Sequence, residues 1–468
     1  MLISLACKNQ AQAKCWTKSG RNISRFRAIN GNLMKTKIIL WSVILILIIG
    51  LAAVAFWWLR RPQVITFSDD SKLTLLAVDY GRRHAPPNVK APAGTRTRRG
   101  NSFNTPTDTL VLWVRQEHDP QQYANFQYYL YDKAGTACAV SYGYGGGGQQ
   151  GSEIVGIRFE AFPRHQAKFI VRVEEQGNGG QEMSDQKFVI RNPARKSYPA
   201  WTAEALPDTK DDNDFSATLT KLVAGVPAPY QRDQDDPDDA ANKGVQATFH
   251  AERNGSVVTN WEPVSVETSD ATGNHVGGGV AKNDWQDGND TVLYQYGLWP
   301  DEAAWKLRVE FSQQSNFADN ELWSAQNIPV EAGRQMDFYN YTPRIANTNS
   351  VFAETDLNGF HLKIFTPKQF TDVPQNSFLQ GGLTIQVTPS LTEGMRMTLV
   401  KLTDDQTNDI ANMNQGTMSD GKSTTYHYGL RNFYGVTNLN LTIALHKSRF
   451  VEFTVKPEKA PAAVAADQ

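Results

Sequence analysis

Short segments in which apolar and polar residues alternate recur along the chain after Arg61, and they constrain the fold more than any other feature. The segment "WKLRVEF" (305–311) alternates aromatic or aliphatic residues with Lys, Arg and Glu, and "KFIVRV" (168–173) and "LNLTIAL" (439–445) follow a similar pattern. A period of two residues places successive side chains on opposite faces of a β-strand, so that one face can pack against a core. The chain is therefore predicted to be mainly β.

A similar phrase precedes each of these three segments. The three phrases are "IRFEAFP" (157–163), "YQYGLWP" (294–300) and "YHYGLRN" (426–432). Each carries two apolar or aromatic residues before a Gly or Pro corner. A further strand pattern follows each segment, in "KFVIRNP" (187–193), "QNIPV" (326–330) and "FVEFTVKP" (450–457). The repeat is longer than a solenoid unit and matches whole sandwich domains.

Three tandem antiparallel β-sandwiches of the immunoglobulin-like or fibronectin-like kind are therefore predicted. The predicted boundaries are 63–195, 213–332 and 349–458 for the sandwiches, 196–212 and 333–348 for two linkers, and 459–468 for a disordered tail. The first linker combines prolines with acidic residues, which is typical of a semi-rigid connection. The tail is rich in Ala and Pro, a low-complexity composition.

One uncharged apolar segment, 38–59, precedes the sandwiches. As a helix its 22 residues would be about 33 Å long, which is enough for a hydrocarbon core of about 30 Å. Trp57 and Trp58 stand beside Arg60 and Arg61 at its end, where an aromatic belt and interfacial cations are expected. The segment is predicted to be a transmembrane helix.

The flanking charges predict the orientation of this helix. Residues 1–37 carry eight Lys or Arg residues and no acidic residue, so the positive-inside rule predicts a cytoplasmic tail. Translation starting at Met34 is an alternative, and cleavage as a signal peptide after Ala53-Val54-Ala55 is another. The long apolar run favours an uncleaved anchor in the cytoplasmic (inner) membrane, with the C-terminal body extracytoplasmic.

The composition of the body excludes some partners. The whole chain has 47 basic and 48 acidic residues, and ten of the basic residues precede residue 62, so the remainder carries 37 basic against 48 acidic residues. An acidic body lacks the basic footprint that nucleic-acid binding requires. Cys138 is the only cysteine after the apolar segment, so no internal disulfide is predicted there.

The sequence contains none of the motifs HExxH, GxSxG or GxxxxGK[ST]. Ser419 and Lys422 match SxxK, but the pattern "SDGK" is more typical of a turn between strands. The glycines of "YGYGGGGQQGS" (142–152) are interpreted as a hairpin loop. The eight histidines show no ligand spacing and are predicted at the surface or on edge strands. No catalytic, cofactor-binding or metal-binding residue is predicted.

Three segments raise binding hypotheses. Acidic residues cluster in 211–214 and 233–239, where calcium binding is one hypothesis and solvated loops are the alternative. Residues 80–107 are basic and could contact anionic lipid headgroups or surface polymers, with a solvated loop as the alternative. Tyr129 and Tyr131, with Tyr142 and Tyr144 nearby in sequence, could form an exposed platform for sugar rings or a partner protein, unless another strand or loop covers them.

The motifs "FP" (162–163), "LWPDEAAWKL" (298–307) and "SDATGN" (269–274) lie within this arrangement. From residue 38 to 457 the chain resembles bacterial single-pass membrane proteins of the cell envelope that carry tandem immunoglobulin-like β-sandwich domains. The Cys…Trp…Cys core of antibody domains is absent. The resemblance implies architecture and location, because its motifs are structural.

Together these features predict a membrane-anchored extracytoplasmic β-sandwich protein that acts as a non-enzymatic structural or binding module of the cell envelope. Its partners are expected to be the membrane, through 38–59, and an envelope polymer or protein, with no nucleic acid. One alternative is an accessory or sensory subunit of a membrane complex. Another is an envelope enzyme with a site built from loops, which would require a deep pocket with converging titratable groups.

Overall fold

A computed structural model of the chain describes most of the residues after Gln63 and a short part before it. The described residues are 44–50, 62–89, 98–99, 102–117, 124–132, 137–140, 142–144, 152–177, 180–194, 196–227, 243–279, 281–287, 290–295, 297–333 and 350–460. The chain divides into two compact units, Met1–Gln63 and Val64–Gln468.

Within Met1–Gln63, residues 44–50 form a helix. The other residues of the segment 38–59 lie outside the described residues. In the described part of the chain, no helix has both the length and the apolar character needed to cross a bilayer.

The unit Val64–Gln468 consists of strands in six sheets, and the prediction of a mainly β chain is confirmed. The first ten strands are β1 (Val64–Thr66), β2 (Lys72–His84), β3 (Arg98–Arg99), β4 (Phe103–Glu117), β5 (Ala124–Tyr131), β6 (Ala137–Val140), β7 (Tyr142–Tyr144), β8 (Ser152–Phe159), β9 (Lys168–Gly177) and β10 (Gly180–Arg191). They form two sheets, in the orders β1-β2-β4-β8-β3 and β10-β9-β5-β6, with β7 on β8. We call them the first sandwich.

Alternating side chains join the two sheets of the first sandwich. Leu110 and Leu112 of β4 and Val171 and Val173 of β9 are fully buried in one hydrophobic cluster. Arg172, between the two valines, is exposed. The face assignment predicted for "KFIVRV" is therefore confirmed, and burying these side chains stabilises the fold by roughly 1.5–3 kcal/mol each.

The next nine strands begin the second sandwich. They are β11 (Asp208–Asp212), β12 (Phe215–Pro227), β13 (Lys243–Arg253), β14 (Ser256–Val257), β15 (Trp261–Asp270), β16 (His275–Gly279), β17 (Ala281–Asp287), β18 (Asp290–Gln295) and β19 (Trp305–Gln313). One sheet has the order β11-β12-β13-β18-β17, with β14 on β13, and the other begins β16-β15-β19. The four apolar residues of "WKLRVEF" are fully buried, as their alternation predicts.

A 3₁₀ turn, Asp319–Glu321, leads into the third sandwich. Its strands are β20 (Leu322–Pro329), β21 (Glu331–Gly333), β22 (Val351–Leu357), β23 (Phe360–Phe370), β24 (Gly381–Thr388), β25 (Met395–Asp404), β26 (Asn412–Ser419), β27 (Thr424–Leu430) and β28 (Asn438–Lys447). One sheet has the order β20-β28-β25, and the other β21-β23-β24-β27-β26, with β22 on β23. They enclose a separate hydrophobic cluster.

The last two strands, β29 (Arg449–Val455) and β30 (Glu458–Lys459), return to the second sandwich. β29 pairs with β19, with Val451 opposite Val309, and β30 pairs with β12. The third sandwich is therefore inserted between two neighbouring strands of the second. Its chain connections are residues 314–321 and Ser448.

This pairing corrects the boundaries predicted at 213–332 and 349–458. "FVEFTVKP" belongs to the second sandwich, whereas "QNIPV" contributes to β20 and pairs with β28 of the third sandwich. The reason is that alternation identifies which face of a strand is buried but not which strand lies beside it. From the sequence pattern alone, either segment could be assigned to either sandwich.

The predicted linkers also need revision. Half of 196–212 is structured as part of the second sandwich, since β11 pairs with β12 and Glu204 bridges to Val455 of β29. The linker 333–348 lies outside the described residues except for Gly333, which ends β21. In the tail, Lys459 is in β30 and the Ala460 amide donates to the Ala224 carbonyl, whereas 461–468 lie outside the described residues.

A buried polar joint connects the first and second sandwiches. The Arg164 guanidinium donates to the carbonyl oxygens of Thr272, at 3.0 Å, and Asp108, at 3.2 Å, and lies over the Phe162 ring. Asn274 exchanges two hydrogen bonds with the Phe162 backbone, at 3.1 and 3.0 Å. Arg164 and Asn274 are both buried. The motifs "FP" and "SDATGN" thus lie on the two sides of one joint. Their hydrogen bonds pair backbone groups that lose contact with water there, as buried backbone groups require.

A carboxyl near this joint makes the stability of the protein pH dependent. Burial first, and then the charges of Asp270 and Asp301, raise the pKa of Glu302 from 4.5 to about 7, and His165 lies 3.1 Å from its carboxyl. Because the folded state raises this pKa, protonated Glu302 contributes stability that is fully present below about pH 4.5. This contribution is lost as the pH rises through about 7. Glu302→Gln should match the wild type near pH 4.5 and be more stable near pH 8, by roughly 2 kcal/mol. Denaturant titrations at both pH values measure this, and equal differences at both pH values would contradict it.

Candidate functional site

A cleft of about 340 Å³ lies between the second and third sandwiches. We call it the junction cleft. One wall is the sheet of β15, β19 and β29, which contributes Glu267, Arg308, Glu310 and Phe450. The facing wall is the segment 391–396, which comprises the end of the connection from β24 and the first two residues of β25, together with Tyr426 of β27.

The β19 alternation positions two charges in the cleft. Leu307 and Val309 point into the core of the second sandwich, so Arg308 and Glu310 point to the opposite face. Glu310 is nevertheless buried, and the Arg396 guanidinium of the third sandwich holds its carboxylate. The outer face of β19 is thus a contact surface for the inserted sandwich.

Glu310 and Arg396 form the main polar contact across the cleft. The Arg396 guanidinium donates two hydrogen bonds to the Glu310 carboxylate, at 2.7 and 2.6 Å, and the Ser448 hydroxyl donates a third. Burial alone would raise the pKa of Glu310, but the hydrogen bonds from Arg396 and Ser448 outweigh it and lower the pKa. A two-point guanidinium–carboxylate contact fixes orientation as well as distance.

Breaking the Glu310–Arg396 contact should weaken the packing of the third sandwich against the second. Glu310→Gln leaves a guanidinium without its carboxylate, and we expect it to reduce the free energy of unfolding by about 2 kcal/mol, because removing one partner of a largely buried ion pair is costly. Arg396→Met should cost a similar amount, and the double variant about as much as either change alone. Denaturant titrations of the four proteins measure the coupling. Additive losses would show that the pair does not act as a unit.

The second charged group is centred on Arg308. Its guanidinium lies 2.5 Å from the Glu393 carboxylate and 3.6 Å from that of Glu267, and 4.2 Å above the Phe450 ring. The hydrogen bond to Glu393 is the main reason that the pKa of Arg308 is raised. Gly394, next to Glu393, adopts a φ of +81°, and a Cβ there would lie 3.3 Å from the Phe450 ring. Glycine therefore lets this connection between the two sheets lie close to the Phe450 ring.

All five charged side chains lining the junction cleft take part in ion pairs. Tyr426 and the apolar side chains of Leu391 and Met395 also line the cleft. Such a surface can recognise a ligand through preoriented charges and a small apolar area. Sequence reasoning did not single out these residues, although the outward charges of "WKLRVEF" were the visible signal.

The SxxK match lies outside the junction cleft. Ser419 and Lys422 lie in a tight turn around β26 and β27, where Asp420 accepts backbone hydrogen bonds from Lys422 and Ser423 and Gly421 has a φ of +78°. The interpretation as a turn is confirmed. In the glycine-rich segment, 145–151 lies outside the described residues.

Two acidic residues of the run 211–214 make contacts within the fold. Asp214 receives hydrogen bonds from Arg253 and Arg449, which lower its pKa, and Asp212 accepts from the Phe450 amide. The run 233–239 lies outside the described residues. Among the described side chains, no group of three or more His, Cys, Asp or Glu could hold a metal ion.

The tyrosine platform is not exposed. Tyr129 and Tyr131 are each only 6% exposed and pack beside Ile170, and the Tyr129 hydroxyl donates to Glu174. The hypothesis of an exposed stacking platform is therefore wrong, and the alternative that the fold covers these rings is confirmed. In the basic segment, Arg82 lies 3.4 Å from Asp108, while 90–97 and 100–101 lie outside the described residues.

Three histidines depart from the predicted surface placement. His84, His427 and His446 are buried. His84 lies 3.0 Å from Asp79 of its own strand. His427 and His446 each have a threonine on the adjacent strand, Thr384 at 3.1 Å and Thr398 at 3.0 Å. Burial lowers the pKa of His427 to about 4, so it is neutral at physiological pH. These rings are core residues of the sandwiches.

Comparison with known proteins gives no relative from which a role could be transferred. No family model matches the sequence. No curated protein matches it either. Any function must therefore be argued from the junction cleft and from the sequence, since a fold by itself does not determine function.

Proposed function

We propose that this chain is a membrane-anchored extracytoplasmic protein of the bacterial cell envelope, in which immunoglobulin-like β-sandwiches serve as a non-enzymatic structural and binding module. The segment 38–59 is the proposed anchor and the junction cleft the proposed binding surface. The observation that carries the proposal is the pairing of all five charged groups in the cleft. Paired charges on rigid sheets favour recognition, whereas catalysis of proton transfer needs a titratable group left free to exchange protons.

The architecture supports a rigid module. The third sandwich is connected to the second by two chain crossings and by the Glu310–Arg396 contact, and the first by the Arg164 joint. Joints of this kind resist independent domain motion, because moving them would expose unpaired buried charges. A binding surface between two sandwiches thereby keeps its geometry.

Localisation tests the anchor. The full chain with a C-terminal tag should remain with membranes after a high-salt wash, and protease added to spheroplasts should digest the body. A chain starting at Gln63 should lose the membrane association. Recovery of the full chain in the cytosolic fraction, or protection of the body from external protease, would refute the location.

Site-directed cross-linking in the same cells tests the cleft. A photoreactive residue at Glu393, which lies in the cleft with its side chain 66% exposed, should form adducts with an envelope component. The matched control is Val257, which is 43% exposed on β14 and does not line the cleft. Equal labelling at both positions would argue against a specific surface at the cleft.

A further inference from the structure

The Glu393 carboxylate contacts the Arg308 guanidinium in the way that the carboxylate of a bound ligand would. Arg308 belongs to the second sandwich, and Glu393 reaches it from the connection between β24 and β25 of the third. The Arg308 side chain is 32% exposed and is held by the Phe450 ring below it and by Glu267, its cross-strand neighbour. The guanidinium is therefore oriented by groups other than Glu393.

Glu393 is easy to displace. Its side chain is 66% exposed, so its carboxylate can return to water at little cost. Ion pairs between exposed groups contribute little to stability, because both charges are well solvated when apart. Withdrawal of Glu393 would leave a preoriented guanidinium facing a cleft of about 340 Å³.

The charge balance of the cleft specifies the ligand chemistry. Glu267, Glu310 and Glu393 carry three negative charges against the two positive charges of Arg308 and Arg396. When Glu393 is withdrawn, the two remaining carboxylates balance the two guanidinium groups. Binding of one ligand carboxylate then restores the original net charge of the cleft. A dianion such as a phosphate would be repelled by the remaining carboxylates, whereas a single planar carboxylate matches the guanidinium fork.

We propose that the junction cleft binds a ligand carboxylate at Arg308 in place of Glu393, which acts as a competitor within the chain. The apolar part of the ligand would contact Leu391 and Met395 on the facing wall. A peptide C-terminus has this chemistry, because its single carboxylate is accompanied by an apolar side chain. A uronic acid lacks the apolar part and is the other outcome that the test distinguishes. The inference rests on the proposed binding function and names its ligand class.

Calorimetric titration of the purified full chain tests the proposal with four probes. The probes are N-acetyl-alanyl-alanine, its C-terminal amide, methyl galactopyranosiduronate, which carries a single carboxylate, and methyl galactopyranoside. We expect N-acetyl-alanyl-alanine to bind and the amide and the neutral sugar not to bind. Binding of the uronide alone would overturn the assignment to a peptide C-terminus. Equal binding of an acid and its uncharged counterpart, or no binding of either acid to wild type or to Glu393→Gln, would overturn the proposal.

Two variants and a control make the test specific to Arg308. Glu393→Gln removes the competitor, so the acid that binds should bind about fivefold more tightly than to wild type. Arg308→Lys keeps the charge but loses the fork and should weaken binding about tenfold or more. The control Glu452→Gln disrupts the Lys306–Glu452 pair on the same sheet, outside the cleft, and should leave affinity unchanged.

Each result of the variants bears on the proposal. An unchanged affinity in Glu393→Gln or in Arg308→Lys would overturn it, as would an equal gain in Glu452→Gln. Failure of these titrations while the cross-links at Glu393 and the membrane location hold would reject only the carboxylate ligand. Failure of the location and the cross-links would reject the proposed function itself.

Discussion

Ending the chain after Lys447 should unfold the second sandwich and leave the third folded. The truncation removes β29, whose Val451, Phe453 and Val455 are buried in the core of the second sandwich. Each such side chain contributes roughly 1.5–3 kcal/mol, so the loss is about 6 kcal/mol before the strand pairing with β19 is counted. That is comparable with the whole stability of a typical domain, about 5–15 kcal/mol.

Limited proteolysis with mass spectrometry measures the result. We expect a protected fragment that contains β20 to β28 and rapid cleavage within 208–313. A chain ending at Ala460 is the matched control, because it keeps β29 and β30 and should resemble the full chain. The boundaries predicted from the sequence give the opposite outcome, with 213–332 protected and the third sandwich digested. Observing that pattern would show that β29 belongs with the third sandwich.

Gly297→Ala should be the most damaging single substitution in the repeated phrase "YQYGLWP". A Cβ at this position would lie 2.1 Å from Cγ2 of Val245 and 3.2 Å from the Trp305 ring. Val245 and Trp305 are both buried, so neither can move into solvent. Overpacking a core usually costs about 1–3 kcal/mol, and this contact is close enough for the upper end of that range.

A double-variant cycle separates this collision from other causes. Val245→Ala removes the atom nearest to the new Cβ and by itself costs about 2 kcal/mol through the cavity it leaves. The combination Gly297→Ala with Val245→Ala should be about as stable as Val245→Ala alone, because the added methyl group then occupies vacated space. Denaturant titration measures the four free energies of unfolding. Strictly additive losses would show that the glycine is needed for its backbone rather than for the close approach.

The strands and their buried faces could be predicted because both depend on neighbouring residues in the sequence. The alternation in β19 and β9 correctly identifies which side chains are buried. The partner of each strand could not be predicted in the same way. Hydrogen bonding between strands is made by backbone groups that are alike in every residue, so β20 and β29 carried no sign of which sandwich they complete.

The junction cleft was beyond sequence reasoning for a related reason. Arg308 and Arg396 are 88 positions apart, and each looks like an ordinary outward charge on its own strand. Their significance depends on the insertion that places the third sandwich against β19. Tyr129 was predicted to be exposed and is buried. Its strand has aromatic residues on both faces, and no neighbouring residue in the sequence indicates that the second face is covered.

The insertion of the third sandwich also sets the order in which the parts can be completed as the chain is synthesised. The first and third sandwiches each emerge as an uninterrupted run, so each can close once its last strand has been made. β19 has no neighbour on one side until residues 449–455 arrive. An open strand edge invites pairing with other chains during that interval. Residues 449–455, which are made after the whole third sandwich, are therefore the ones that seal the earlier-made sheet against aggregation.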